Sequence, residues 1–232
     1  MNTASLTKAL SITDFLSAYH NYSTVGLENI PQQGPALIVI NHSLATYDGI
    51  LLARAIYRKR GRICRTLGDK TLFKFPLLSN LCRELCVVEG THAAGEKLLE
   101  EGHLVIVAPG GMREALKPSS DCGKLFWEQR RGFVRLALKM KAPVILAACP
   151  NADKIYQVYP SKLTQRLYER FKLPLPFARG IGLSFVPRPI DLCHSVSAPF
   201  VPPSYDEEDF ESATNLFHSK LTKEMTELMG QI

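Results

Sequence analysis

The sequence predicts an α/β fold with a mixed, largely parallel sheet flanked by helices. Short, wholly apolar runs rich in β-branched residues are typical of buried strands. Amphipathic patterns with helical spacing lie between these runs. Strands that alternate with helices favour parallel pairing, because a crossover must carry the chain back before the next strand can run in the same direction.

Five apolar runs are expected to form strands, and three segments between them to form helices. The expected strands are residues 36–40, 85–88, 104–108, 143–148 and 181–186. The expected helices are residues 48–60, 92–101 and 129–140. In such a sheet, functional sites gather beyond the carboxyl ends of the strands, so polar residues that follow the runs are the first candidates for chemistry.

Both termini are expected to be helical. Within residues 1–25, apolar side chains recur at helical spacing between Ile12 and Tyr19 and indicate an amphipathic helix. Residues 205–232 begin with an acidic cluster that complements a helix dipole and continue with regularly spaced apolar residues. We expect residues 1–232 to form a single domain, because one core can serve a chain of this length.

The formal net charge of +6 favours an anionic partner, which could be nucleic acid, an anionic bilayer surface or a phosphorylated substrate. Nucleic acid is disfavoured, because the positive charges are dispersed and no finger, RNA-recognition or basic-zipper signature is present. The longest apolar stretch, residues 36–52, is interrupted by Asn41, His42 and Asp48, so we expect no membrane-spanning helix. The N-terminus lacks the pattern of an export signal, which favours a cytoplasmic protein.

The six cysteines are scattered and form no C-x-x-C pair. Such pairs are typical of zinc sites and of thioredoxin-like redox sites. We therefore expect reduced thiols and no bound metal.

The first polar motif, residues 41–48, lies between an expected strand and an expected helix and contains Asn41, His42 and Asp48. An imidazole can take the proton of a hydroxyl near neutral pH without extreme tuning of its pKa. A carboxylate bonded to the second ring nitrogen fixes the tautomer and stabilises the imidazolium. His42 is therefore a candidate general base with Asp48 as its orienting carboxylate. Taken alone, the motif also fits a loop histidine that caps the helix.

The second motif is Pro109-Gly110-Gly111-Met112-Arg113-Glu114, which follows the apolar run at 104–108. Two glycines let the backbone approach a ligand closely, and Arg113 can grip a phosphate or carboxylate with two hydrogen bonds. The competing interpretation is an ordinary turn with a surface arginine. The motif lacks the Lys-Ser/Thr pair of a nucleotide-binding loop, which disfavours nucleotides.

The order of these motifs resembles the glycerolipid acyltransferase superfamily, whose first motif is Asn-His-x-Ser-x-x-Asp and whose third is Phe-Pro-Glu-Gly-Thr-Arg. The resemblance runs from about residue 30 to residue 190. Residues 85–89 look like the family's apolar strand that ends near a substrate contact, residues 132–137 look like its helix before the fourth motif, and residues 142–146 look like its Val-Pro-Val-Ile-Pro segment. The implied fold is that of this superfamily.

The chain departs from the family pattern at two positions. His42 and Asp48 are separated by one residue more than is usual, so a contact between them needs a wider loop. Gly110 stands where the family usually has glutamate, and the motif from Pro109 to Glu114 looks more like the Pro-Gly-Gly-x-x-Glu of the branch that acylates neutral glycerides. Arg113 nevertheless matches the arginine with which the phospholipid branch contacts an acceptor phosphate, so both acceptor classes stay open.

The resemblance implies direct transfer of a fatty acyl group from acyl-CoA, or from acyl carrier protein, to a hydroxyl of a glycerolipid, with no acyl-enzyme and no further cofactor. The acceptor is a lysophospholipid, lysophosphatidate, or a mono- or diacylglycerol. His42 and Asp48 are the implied catalytic residues. The implied substrate-binding residues are Asn41, Glu89, Pro109, Gly110, Gly111, Arg113 and Glu114. Amides near the two glycines are candidates for oxyanion or acceptor binding.

Two other functions remain as alternatives. One is a lipid thioesterase or hydrolase, although no Gly-x-Ser-x-Gly elbow supplies a nucleophile. The other is a catalytically inert lipid-binding relative, which the altered spacing between histidine and aspartate would permit.

A lipid-metabolising protein without a membrane span must reach its substrate from the surface, so we expect peripheral association with a membrane. Between residues 162 and 171, a row of basic side chains lies beside a row of apolar ones. The basic row is Lys162, Arg166 and Arg170, and the apolar row is Leu163, Leu167 and Phe171. Such a helix fits a headgroup region as well as it fits the outer surface of a sheet.

Overall fold

The computed structural model describes residues 3–44, 46–74, 76–160 and 177–230. The helices are α1 (Thr3–Tyr19), α2 (Tyr47–Arg60), α3 (Pro76–Glu84), α4 (His92–Glu100), α5 (Gly111–Ala115), α6 (Gly132–Met140) and α7 (Phe210–Gly230). The strands are β1 (Ser23–Val25), β2 (Ala36–Ile40), β3 (Cys64–Gly68), β4 (Val87–Glu89), β5 (Leu104–Val107), β6 (Val144–Ala148), β7 (Gln157–Val158), β8 (Ala178–Arg179) and β9 (Cys193–Val196).

Within these residues, seven strands form one mixed sheet in the order β1-β9-β6-β2-β5-β3-β4. Five adjacent strands run parallel to one another, namely β6, β2, β5, β3 and β4. β9 pairs with β6 in the antiparallel direction, and β1 is parallel to β9. β7 and β8 form a separate antiparallel pair. The predicted fold class, a largely parallel mixed sheet with helices around it, is confirmed.

The central strands are buried on both faces, which explains their unbroken apolar sequences. Leu37 and Val39 of β2 point into a core closed by α6 and α7, where Phe217 and Met225 lie. The alternate residues of β2 point into the opposite core. That core includes Ile38, Ile40, Leu52, Ile56, Ile106 and Ile145. Every residue of β2, β5 and β6 is buried.

The strands at 36–40, 104–107 and 144–148 agree with the sequence predictions within a residue at each end. The run at 85–88 forms a strand shifted toward the C-terminus, at Val87–Glu89. The prediction of a strand at 181–186 is wrong. The chain there folds into a turn that is closed by a hydrogen bond from Gly180 N to Ser184 O at 2.7 Å. Its apolar residues are exposed, so their pattern did not come from burial in a sheet.

Three strands of the sheet were not predicted from the sequence, namely β1, β3 and β9. Their sequences, Ser-Thr-Val, Cys-Arg-Thr-Leu-Gly and Cys-His-Ser-Val, contain few apolar residues. β1 pairs only with β9 in this sheet, and most residues of β3 are half-buried. Such strands are specified by main-chain pairing with a neighbour, which leaves little trace in the hydrophobic pattern.

The three helices expected between the strands are present as α2, α4 and α6. The terminal helices are shorter than expected. α1 ends at Tyr19, and Ser23–Val25 within the predicted 1–25 segment is strand β1. α7 covers Phe210–Gly230 of the predicted 205–232 segment. The single-domain assignment remains a prediction.

The basic and apolar rows between Lys162 and Phe171 lie outside the described residues. Among the helices that the structure describes, none is both long enough and apolar enough to cross a bilayer.

A buried ion pair joins the segment after α5 to the segment after β6. Lys117 Nζ lies 2.8 Å from Asp153 Oδ2, and each side chain is 4% exposed. Gly123 N donates to the same carboxylate oxygen at 2.8 Å, and Lys117 Nζ also donates to Lys124 O at 3.1 Å. The hydrogen bonds offset the loss of water around the two charges. The pair therefore holds the loops that follow β5 and β6 together.

Replacing Lys117 with methionine should lower the free energy of unfolding by about 3 to 5 kcal/mol, because Asp153 would remain buried without its counter-charge. Urea unfolding measures this difference. The matched control is Lys124→Met, which removes an exposed ion pair with Asp121 and should cost about 0 to 1 kcal/mol. Equal effects of the two changes would contradict the role given to the buried pair.

Candidate functional site

The predicted motifs meet at one edge of the sheet. β2, β5 and β6 are adjacent and parallel, so the residues that follow them lie side by side. Asn41 and His42 follow β2, Pro109 and Gly110 follow β5, and Cys149 follows β6. The structure thus brings the histidine motif and the glycine motif together, as the strand order requires.

Asn41 fastens the end of β2 to the end of β6. Its amide oxygen accepts a hydrogen bond from Cys149 N at 2.8 Å, and its amide nitrogen donates to Cys149 O at 3.2 Å. The side chain has no exposed surface. Asn41 thus positions the main chain on either side of the site, and its contact with substrate remains a prediction.

Glu114 lies beneath the histidine loop with no exposed surface. One carboxylate oxygen accepts from His42 N at 2.7 Å, and the other accepts from Phe126 N at 2.7 Å. Burial raises the pKa of Glu114, while these two hydrogen bonds and the nearby Lys117 lower it. Both oxygens thus accept from main-chain donors, and Glu114 fixes where the backbone of His42 stands. Its contact with substrate remains a prediction.

Gly110 is required by the position of Glu114. A Cβ atom built on Gly110 would lie 2.1 Å from Glu114 Oε2, well inside van der Waals contact. Gly111 has a φ of 56° and open space around its Cα, so it serves the turn and not a close approach. Gly111 N donates to Ala108 O at 3.2 Å, which removes this amide from the candidate oxyanion donors.

The imidazole of His42 is held through Nδ1. This atom lies 2.7 Å from Thr46 Oγ1 and 3.0 Å from Ser43 O. Thr46 Oγ1 donates its proton to Ser43 O at 3.0 Å, so its lone pairs face the ring. Since Ser43 O can only accept, the hydrogen bonds assign the proton to Nδ1. The other nitrogen, Nε2, is then the basic one.

His42 is half-buried. Burial lowers the pKa of His42 to about 4, partly countered by its hydrogen bond to Ser43. The ring is therefore neutral near pH 7 and able to accept a proton.

Asp48 does not contact His42, which corrects the predicted pairing. Its Oδ1 accepts from Ser43 Oγ at 2.6 Å, and its side chain has no exposed surface. The longer spacing explains the difference: Thr46 adopts a left-handed conformation just before α2 and places its hydroxyl on the ring. Asp48, in the first turn of α2, reaches the histidine loop only through Ser43.

The buried His194 lies next to Asp48. His194 Nε2 lies 3.9 Å from Asp48 Oδ2, and neither atom has a hydrogen-bond partner among the described residues. His194 Nδ1 lies 3.0 Å from the hydroxyl of Tyr22. Burial raises the pKa of Asp48 to about 6 and lowers that of His194 to about 3. Tyr22 lies just before β1 and His194 lies on β9. Neither was predicted as a site residue, because both are far from either motif along the chain.

Asp48, Cys149 and His194 form the one group of three potential metal ligands in the part of the chain that the structure describes. Their ligand atoms all lie within 4.8 Å of one another, and all three residues are buried. Burial also raises the pKa of Cys149 well above its usual value, which favours the protonated thiol over the thiolate that binds metals. Near pH 7 the group thus holds a protonated thiol and a neutral imidazole beside the carboxyl group of Asp48.

Two predicted substrate-binding residues lie at the surface. Glu89 is exposed at the end of β4. Arg113 is also exposed, with its guanidinium 3.2 Å from Glu128 and stacked 5.2 Å from the centre of the Phe126 ring. Pro109 is half-buried beside Gly110. Their roles toward substrate remain predictions.

The acyltransferase family model matches residues 22–149, which is more than half of the chain and includes both motifs. The chain belongs to the acyltransferase family. This confirms the resemblance to the glycerolipid acyltransferase superfamily. The assignment to the branch with a Pro-Gly-Gly motif stays a prediction.

Two vertebrate relatives are named for the synthesis of storage lipids. The chain is 34% identical over 159 residues to a Homo sapiens protein named "DGAT1/2-independent enzyme synthesizing storage lipids", covering 68% of this chain and 49% of that protein. The Bos taurus protein of the same name is 33% identical over 159 residues, covering 68% of this chain and 47% of that protein. The chain therefore spans about half the length of these relatives. An uncharacterised Mycobacterium tuberculosis protein is 28% identical over 225 residues, covering 94% of this chain and 62% of that protein.

The fold of this acyltransferase is similar to that of the 1-acyl-sn-glycerophosphate acyltransferase PlsC from Thermotoga maritima. The TM-score is 0.57 at 17% identity, and the match covers 95% of this chain and 79% of that chain. At this identity the likeness concerns the fold.

Replacing Glu114 with glutamine should lower the free energy of unfolding by about 1 to 3 kcal/mol, since an amide has one acceptor oxygen and leaves His42 N or Phe126 N unpaired. Urea unfolding measures the loss. Glu128→Gln, at an exposed carboxylate of the same size, should change stability by less than about 0.5 kcal/mol. A Glu114 variant as stable as the control would contradict the proposed anchoring.

Burial of His194 makes stability depend on pH. Its pKa is about 3 in the folded protein and near its ordinary value of about 6.5 in the unfolded chain. As pH falls below about 6.5, the unfolded state takes up a proton that the folded state does not, so stability is lost.

The contribution of this one group should be on the order of 1.4 kcal/mol per pH unit between about pH 6 and about pH 4. His194→Gln should remove this contribution from the pH dependence of the unfolding free energy, to which Asp48 with its raised pKa contributes in the opposite direction. Urea unfolding at several pH values measures the change. His92→Gln, at an exposed histidine on α4, should leave the slope unchanged. Parallel slopes for wild type and His194→Gln would show that burial of His194 is not what links stability to pH.

Proposed function

We propose that this acyltransferase moves a fatty acyl group from a thioester donor, acyl-CoA or acyl carrier protein, to a hydroxyl of a glycerolipid. The observation that carries the proposal is the state of His42: its Nδ1 is engaged by Thr46 and Ser43, its pKa is about 4, and Nε2 is left as a base. The ring stands at the carboxyl edge of the sheet, beside the glycine turn. No transferred group on the protein is needed for this chemistry.

The proposed mechanism is a single displacement. His42 Nε2 removes the proton of the acceptor hydroxyl while the oxygen attacks the thioester carbonyl carbon. The tetrahedral intermediate collapses, the bond from carbon to sulfur breaks, and the imidazolium returns the proton to the leaving thiolate. The products are an ester and a free thiol, so atoms and charges balance. The low pKa of His42 keeps it unprotonated before the reaction and makes it a strong acid for the final step.

Asp48 acts in this proposal as a positioning residue and not as a direct partner of the base. Asp48 fixes Ser43 through a 2.6 Å hydrogen bond, and Ser43 O accepts a hydrogen bond from His42 Nδ1. The carboxylate thereby supports the tautomer that histidine needs, as the aspartate of a hydrolase triad does by direct contact.

We favour a neutral glyceride as the acceptor. Arg113, the residue that would grip an acceptor phosphate, is paired with Glu128 on the surface. The relatives from Homo sapiens and Bos taurus are named for the synthesis of storage lipids. An acceptor that resides in a membrane also implies that the protein works at a bilayer surface.

Replacing His42 with alanine should lower the rate of acyl transfer by about 10² to 10⁴, the usual contribution of a positioned general base. The assay is the appearance of labelled ester from labelled acyl-CoA and a glyceride acceptor. His92→Ala, at an exposed histidine, should transfer at the wild-type rate.

Each alternative function gives a different result in the same assay. Release of labelled free fatty acid without ester would indicate a thioesterase. Equal ester formation by wild type and His42→Ala would remove the histidine from the mechanism, and lipid binding without either product would indicate an inert relative.

A panel of lysophosphatidate, monoacylglycerol and diacylglycerol acceptors decides the acceptor class. We expect higher kcat/KM for the two neutral glycerides, and we expect Arg113→Gln to leave those values unchanged, because a neutral acceptor offers no anion for the guanidinium to bind. A preference for lysophosphatidate that Arg113→Gln abolishes would assign the phosphorylated acceptor instead.

A further inference from the structure

Several large apolar side chains are exposed on the loop after β8 and on α1. We name this set the apolar patch. It consists of Ile181, Leu183, Phe185 and Val186 in the loop after β8, with Ile12 and Phe15 on α1. Leu183 is 92% exposed, Phe185 65% and Phe15 69%. Exposed apolar surface on this scale is unusual for a chain in water and marks a surface that is covered in use.

Main-chain hydrogen bonds within the loop of the apolar patch hold it closed. Gly180 N donates to Ser184 O at 2.7 Å, Ile181 N donates to Val186 O at 2.8 Å, and Ser184 N donates to Ile181 O at 3.0 Å. A Cβ on Gly180 would lie 1.8 Å from Val186 O, so only glycine permits this closure. Three main-chain N–H groups of the loop are thus satisfied within it, which lowers the cost of moving them into a less polar medium.

The two parts of the apolar patch are joined. Tyr19 at the end of α1 donates from its hydroxyl to Pro187 O at 2.6 Å. Its ring stacks on Phe15 with the ring centres 6.1 Å apart. The outward side of α1 therefore continues the surface of the loop.

The apolar patch lies at the same edge of the sheet as His42. Tyr156, which follows the end of β6, donates from its hydroxyl to Phe185 O at 3.3 Å. Tyr156 packs in the same apolar cluster as Tyr47, which adjoins Asp48 in the first turn of α2. The loop is thus linked through Tyr156 to the apolar cluster against which Tyr47 of α2 also packs.

Two arginines accompany the apolar patch, and neither has a carboxylate partner in the part of the chain that the structure describes. Arg179 donates to Gln157 Oε1 and to Gly182 O, and Arg188 donates to Gln157 Oε1 and to Gly180 O. All of these acceptors are uncharged. Positive charge next to exposed apolar side chains is the pattern of a surface that meets anionic headgroups.

We propose that the apolar patch is the surface by which this protein docks on an anionic lipid bilayer, with Leu183 and Phe185 inserted among the acyl chains and Arg179 and Arg188 at the headgroups. The occupant follows from the proposed function, since a membrane-resident acceptor must reach His42 from the edge that faces the bilayer. An apolar protein partner would not require the unpaired positive charge that lies beside the loop.

The test is co-flotation of the protein with vesicles, without any acyl donor. Wild type should bind vesicles of equal parts phosphatidylglycerol and phosphatidylcholine more strongly than vesicles of phosphatidylcholine alone. Leu183→Ser/Phe185→Ser should weaken binding to the anionic vesicles by about tenfold or more, because two large apolar side chains no longer enter the bilayer.

The matched control is Val201→Ser/Leu216→Ser. These two apolar residues are equally exposed, at 78% and 71%. Val201 follows Phe200, which pairs with Val144 at the opposite end of β6, and Leu216 lies on α7. The control should bind vesicles like wild type. Circular dichroism and thermal unfolding should show that all three proteins are folded alike, since every replaced side chain is exposed.

Three results would overturn the proposal. Wild type could fail to bind either vesicle, both double variants could bind equally, or sedimentation could show a wild-type dimer that only Leu183→Ser/Phe185→Ser dissociates. The last result would assign the apolar patch to contact between two copies of the chain.

The same experiment separates this proposal from the proposed function. His42→Ala should bind vesicles like wild type, and Leu183→Ser/Phe185→Ser should retain transfer to a short-chain acceptor dissolved in water. If transfer fails in all proteins while vesicle binding follows the expected pattern, the docking surface stands and the proposed chemistry does not.

Discussion

The buried carboxylate of Glu114 is the interaction on which the candidate site depends. It lies between the loops that follow β2 and β5 and accepts one main-chain hydrogen bond from each side, from His42 and from Phe126. A carboxylate buried between two N–H groups can neither rotate freely nor lose a partner cheaply. Gly110 has no side chain because one would overlap this carboxylate. The histidine and the glycine turn are therefore set relative to each other by a buried carboxylate that is bonded to the main chain on both sides.

Desolvation is the common cause of the electrostatics around this site. It lowers the pKa of His42 and His194 and raises that of Asp48, Glu114 and Cys149. Each group is pushed toward its uncharged form, as low-dielectric surroundings require. The buried ion pair of Lys117 and Asp153 is the exception, and its hydrogen bonds explain why two charges persist there. A neutral imidazole in a fixed tautomer is what a base for acyl transfer needs before it meets its acceptor.

The polar layer behind the base extends deeper than the family motif. Ser43 connects His42 with Asp48, and Asp48 faces His194, which contacts Tyr22. These residues lie on the loop after β2, on the first turn of α2, on β9 and just before β1. The antiparallel pairing of β9 with β6 is what brings His194 to this edge of the sheet, because it directs the beginning of β9 toward the carboxyl end of β6.

The sequence by itself determined the elements whose burial is complete and the motifs that follow them. The runs at 36–40, 104–107 and 144–148 were readable because strands buried on both faces must be apolar throughout. His42 and Gly110 were found because each follows such a run. Only the tertiary structure decided that Thr46 and Ser43 hold the imidazole, that Glu114 is an anchor, and that the apolar run at 181–186 is exposed. Hydrogen-bond partners and the side of a chain that meets water depend on packing between distant segments, and a local pattern of residue types carries no record of that packing.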